Sequence, residues 1–209
     1  MKRTLVLALI CFVGCRSTYY SMWEKLGREK RDILRSRVED ARDEQKEAGK
    51  EFKSALDRMK EMYNFSGGEL ESAYNKFKGE YEDCADRAEE VRDGIQDVET
   101  VAGDLFKEWD SEIKEISNAE MRADSRRKLD ESRTRYDSLH ATLKRAESSM
   151  EPILTRFHDN VLYLKHNLNA QAIGALKGES IKIEGDISKL IADMNASIAE
   201  ADAFIRTLD

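Results

Sequence analysis

Apolar residues return every three and four positions along most of this chain. From Leu34 they run through Val38, Ala41, then Gln45, then Ala48, Phe52, Ala55, Met59 and Met62. That is a heptad seam with one polar member, and it predicts a helix over 23–64. The segment Asn64-Phe65-Ser66-Gly67-Gly68 ends it, and Ser66 with Glu69 reads as a capping box for the next helix. Leu70, Tyr74, Phe77, Tyr81, Cys84, Ala88, Val91, Ile95, Val98, Ala102, Leu105 and Trp109 form the longest unbroken alternation, and Ile116 continues its phase. They predict a second helix over 69–116, closed by another capping box at Ser117 and Glu120.

A third seam passes through Leu129, Ser132, Tyr136, Leu139, Leu143, Ala146, Met150, Ile153, Phe157, Val161 and Leu164, predicting a helix over 118–167. Pro152 lies inside it and predicts a kink, because the apolar phase survives across the missing N–H donor. The frame then shifts. Ile173, Leu176, Ser180, Ile183, Ile187, Leu190, Met194, Ile198, Ala201, Ile205 and Leu208 predict a fourth helix over 170–208, with Asn169 as its N-cap. At 1.5 Å per residue the helices are roughly 60–70 Å long. Similar lengths and short loops predict an all-α fold, an elongated antiparallel four-helix bundle. Two long hairpins packed between chains are the rival arrangement.

The first residues, MKRTLVLALICFVGC, follow a different grammar. Lys2 and Arg3 precede a short apolar run, and a cysteine follows Phe12-Val13-Gly14. The run is too short to span a bilayer, which takes about 20 residues. The expectation is a lipoprotein signal peptide over 1–14, lipid on Cys15, a tether over 15–22 and a bundle over 23–209. An uncleaved anchor or a plain secreted protein is the alternative. No aspartate follows Cys15, so a lipid-anchored place in the cell envelope, on the outer membrane facing the periplasm, is expected. Removing the leader also discards Cys11 and leaves Cys84 as the one other cysteine, so no internal disulfide is expected.

Charge narrows the partners. Without the leader the chain holds 33 basic and 42 acidic residues, a formal charge of −9. An acidic chain lacks the basic stripe that nucleic acid requires, so no nucleic-acid partner is expected. Basic residues concentrate at the starts of the first and third helices: Lys25, Arg28, Lys30, Arg31, Arg35 and Arg37, then Arg122, Arg126, Arg127, Lys128, Arg133 and Arg135. Two readings apply. With Tyr19, Tyr20 and Trp23 they would face lipid head groups. Alternatively they pair with Glu108, Asp110, Glu112 and Glu115 at the end of the second helix, which is the favoured reading.

Catalytic chemistry finds little purchase. His140, His158 and His166 all lie in the third helix, and His158 and His166 are about 12 Å apart along its axis. No Glu-x-x-His motif accompanies them, so no metal and no cofactor are expected. Cys84 at a seam position reads as a small buried hydrophobe. The least generic stretch surrounds the last reversal, where Tyr163, His166, Asn167 and Asn169 gather hydrogen-bonding side chains, and Phe65 marks the other loop at that end. These five residues are the candidate tip interaction site, weighed against simple capping of helix ends.

Three segments, KRDILRSRVEDARDEQ at 30–45, LYLKHNLNAQAIGALKGE at 162–179 and SIAEADAFI at 197–205, carry a family likeness. The chain resembles an uncharacterised family of bacterial putative lipoproteins, a domain of unknown function, over the whole mature chain. The resemblance implies a helical, envelope-anchored protein and brings no activity with it. The leading expectation is a non-enzymatic envelope lipoprotein serving as scaffold, spacer or interaction module. Its partners would be the membrane through Cys15 and an envelope protein or a second copy. The alternatives are a ligand- or metal-binding bundle near His166, or a membrane-surface-binding or remodelling protein.

Overall fold

A computed structural model describes residues 14–62 and 69–208, with side chains from Lys30 onward except at Ala170. The leader up to Val13, the loop holding Phe65 and Ser66, and the side chains of Cys15, Tyr19, Tyr20, Trp23, Lys25 and Arg28 lie outside the described residues. Four helices account for the described chain: α1 Gly14–Glu61, α2 Glu69–Glu115, α3 Ala119–His166 and α4 Ala170–Ile205. Helix α1 starts before the expected residue 23. Between Cys15 and Leu26 there is neither proline nor glycine to stop it.

Each helix packs on its two neighbours, α1 on α2 and α4, α2 on α3, and α3 on α4. Cross-helix ion pairs fix the antiparallel sense. Lys30 meets Glu108 at 2.5 Å and Arg58 meets Glu80 at 3.2 Å, so residue numbers rise along α1 as they fall along α2. Arg42 with Asp202 and Lys60 with Glu184 do the same for α1 and α4, both at 2.9 Å. The result is a four-helix ring with up-down-up-down connections, about 70 Å long by the rise of its longest helices. Among the described residues no helix is long and apolar enough to cross a membrane.

The core is a continuous stack of seam residues. All nine expected positions of α1 from Leu34 to Met62 are buried, Gln45 among them. Near the tip Phe157 fills the centre. Its ring lies 6.5 Å from Phe52 across the bundle and 5.7 Å from Phe77 edge-on. Nearer the other end Tyr136 plays a similar part, edge-on to Phe106 at 5.5 Å and Phe204 at 6.3 Å, and stacked on His140 at 5.8 Å. Burial pushes its phenol up to about 12.

Several expectations shift by one residue. In α4 the buried positions after Met194 are Ser197, Ala201 and Phe204, while Ile198 and Ile205 are half-buried. Stepping from Leu190 to Met194 to Ile198 needs two consecutive steps of four, whereas a heptad alternates four and three. Likewise α3 buries Asn160 as well as Val161, and α2 buries Ile113 while Ile116 is half-buried. Helix α3 runs unbroken through Pro152. Its cap is Asn118 rather than Ser117. Asn118 has extended backbone, φ −71° and ψ 120°, and its side chain accepts from the N–H groups of Glu120 and Met121.

Candidate functional site

The far reversal is built from two asparagines. Asn169 accepts from the Ala172 N–H at 3.0 Å and starts α4, as expected. Asn167 closes α3: its N–H donates to the Leu164 carbonyl at 3.1 Å and its amide donates to the Tyr163 carbonyl at 2.9 Å. Both side chains are therefore engaged in satisfying helix ends. Tyr163 and His166 are exposed beside them. Three large apolar side chains also face outward in this third of the bundle: Leu162, Tyr163 and Ile181 are each about half to two-thirds exposed.

At the opposite end several of the basic residues are engaged by the bundle itself. Lys30 holds Glu108, Arg126 holds Asp110, and Lys114 joins Asp110 at 2.7 Å. Lys114 and Arg126 hold the Asp110 carboxyl down at about 2. Arg31 lies over the Trp109 ring at 4.8 Å, and the indole N–H donates to Ser125 Oγ at 3.0 Å. Arg122 donates to the Ile116 carbonyl at 3.0 Å, a cation against the negative end of α2. Between α2 and α3 an open groove exposes parts of Phe106 and Tyr136, with Lys107 and Arg133 on its rim.

Sequence reasoning missed one arrangement. Glu44 on α1 lies against Gly94 of α2, and a Cβ there would collide with its Oε2. Asp40, Asp43, Glu47 and Asp97 share this open groove with Arg37 and Arg87. Burial, and then the charges of Asp40, Glu90, Asp97 and Asp93, push the Glu44 carboxyl up. A carboxyl whose folded pKa exceeds its unfolded one favours folding when protonated. That contribution is complete below the ordinary carboxylate range and is lost as pH rises through the folded value. Glu44→Gln is therefore expected to raise stability by roughly 0.5 kcal/mol at neutral pH in this half-exposed site. The gain shrinks as pH falls through the raised pKa. Urea midpoints at several pH values check this, and a pH-independent gain would contradict it.

His140 meets Glu99 at 2.6 Å and His158 stacks on Tyr81 at 5.7 Å, so the two rings belong to separate local contacts. Among the described residues no group of three His, Cys, Asp or Glu side chains could hold a metal ion. Cys84 is buried on α2, and burial pushes its thiol well above the usual range, which keeps it protonated.

A family described as "Protein of unknown function (DUF2959)" matches residues 19–208. The chain belongs to the DUF2959 family. No curated protein matches the chain, and no solved structure does. DUF2959 membership extends from the first helix to the end of α4. The bundle and both ends described above are thus one family unit and carry no assigned chemistry with them.

Proposed function

We propose that this chain is a non-enzymatic cell-envelope lipoprotein whose bundle serves as a spacer and interaction scaffold. The observation that carries the reading is the near-equal length of the first three helices, 48, 47 and 48 residues, in an antiparallel ring. The start of α1, the end of α2 and the start of α3 share one end, and the reversal at Asn167–Asn169 lies roughly 70 Å away. With lipid on Cys15, that first end would rest at the membrane and the other would stand clear of it. The leader grammar supports export and lipidation, and an aspartate-free position after Cys15 supports the outer membrane. The capping asparagines at one end and the ion-paired side chains at the other favour a structural role over chemistry.

Crosslinking in intact cells tests the scaffold. A photo-reactive residue at Leu162, Tyr163 or Ile181 is expected to give a discrete adduct with an envelope protein or with a second copy. No adduct from any of the three positions would count against a scaffold that works through its far end.

A further inference from the structure

Among the described residues, four polar ones are buried in the core: Gln45, Asn160, Ser180 and Ser197. Two of them are satisfied by their own helices. Asn160 donates to the Arg156 carbonyl at 2.7 Å, and Ser180 donates to the Lys177 carbonyl at 3.0 Å. The other two differ. Gln45 and Ser197 are each 0 % exposed, yet Gln45 Nε2, Gln45 Oε1 and Ser197 Oγ have no hydrogen-bond partner in the protein.

Cross-helix contacts bring these two to one level. Arg42 bonds Asp202 at 2.9 Å on one side, and the Cβ position of Gly49 lies 3.3 Å from Met194 Sδ on the other. Between these contacts Gln45 and Ser197 occupy facing seam positions of α1 and α4. Ser149 bonds Asp193 at 2.7 Å, and Arg92 approaches Glu147 at 3.8 Å. The same level of α3 is therefore occupied by Ala146. On their own helices the buried seam residues beside Gln45 are Ala41 and Ala48, and those beside Ser197 are Met194 and Ala201. Bulk at this level comes from Val91 and Ile95 of α2 and from Met194 of α4. Ala41, Ala48, Ala146 and Ala201 thus lie at or next to the level of three unpartnered polar atoms. Leaving such an atom unpaired costs about 1–3 kcal/mol. Buried water typically makes about three hydrogen bonds to groups of this kind.

We propose that Gln45 and Ser197 jointly bind an internal water molecule at mid-height of the bundle. The amide oxygen accepts from it, and the amide nitrogen and the serine hydroxyl complete its coordination. The ligand class follows from the donors: small, neutral, and able to both donate and accept. The site also marks a register. Sliding α4 by one heptad would set Leu190 or Phe204 opposite Gln45 and leave the amide dry, so the hydrated layer selects one alignment among similar heptads.

A high-resolution crystal structure of the full chain is the first test. An ordered water bonded to both Gln45 and Ser197 is expected. A Gln45 amide bonded directly to Ser197 or to a backbone carbonyl, with no water, would overturn the proposal. Thermal unfolding of Gln45→Leu, Ser197→Ala and the double variant is the second test. A shared water makes the shifts non-additive, the double variant moving the midpoint by less than the two singles combined. Strictly additive shifts would overturn the proposal as firmly as a dry crystal, and the wild-type crystal decides even if a variant fails to fold.

Discussion

Replacing Phe157 with alanine lowers the free energy of unfolding by about 3–5 kcal/mol. The ring is 0 % exposed and touches aromatic partners on two other helices, Phe52 on α1 and Phe77 on α2. Truncation loses the transfer free energy of a buried aromatic. It also leaves a cavity that facing helices close only in part, because each is held by its own seam above and below. The two aromatic contacts add about 0.5–1.5 kcal/mol each beyond burial. Urea unfolding followed by circular dichroism measures the effect, with the midpoint falling at unchanged slope. A loss under about 1 kcal/mol would mean that the tip half of the bundle is not packed around this ring.

Pro152→Ala acts in the opposite direction. Helix α3 runs from Ala119 to His166 without interruption, although proline gives no N–H to the carbonyl four residues back. Pro152 is exposed, so alanine sacrifices no core contact, while Met150 and Ile153 beside it stay at 0 % exposure. Proline in a helix interior costs about 3 kcal/mol relative to alanine. Part of that gain is offset, by up to about 1 kcal/mol, because alanine loosens the unfolded chain. A net stabilisation of about 2 kcal/mol is expected from the same urea titration. A destabilised variant would show that the bundle requires a bend at this point.

Both predictions depend on seams that were legible in the sequence where the heptad is strict. In α1 every expected position from Leu34 to Met62 is inside, because an unbroken alternation of three and four leaves one face to bury. Legibility failed where hydrophobicity and periodicity disagreed. Ile198 and Ile205 are more apolar than Ser197, yet the frame set by Ile187, Leu190 and Met194 carries inward to Ser197 and Phe204. The helix turns as a rigid object, and neighbouring large residues fix which face is inside before any single side chain is chosen. Asn160 shows the same rule, made tolerable by its bond to the Arg156 carbonyl.

At the candidate sites, local signals were readable and distant ones were not. Asn169 announced its cap from position alone, and Gln45 announced itself as the polar member of a seam. The capping choice between Ser117 and Asn118 was decided by backbone angles that sequence does not display. The meeting of Glu44 with Gly94, and the shared level of Gln45 and Ser197, required the antiparallel register between helices. A periodic seam specifies which face is buried far better than which heptad lies opposite which.

The proposal that this bundle is held to a membrane by lipid stands or falls on Cys15. Cells expressing the full chain can be grown with labelled palmitate and fractionated, alongside cells expressing Cys15→Ala. Label on the wild-type protein in the membrane fraction, and none on the variant, is the predicted result. Equal labelling and equal membrane association of the two would contradict it.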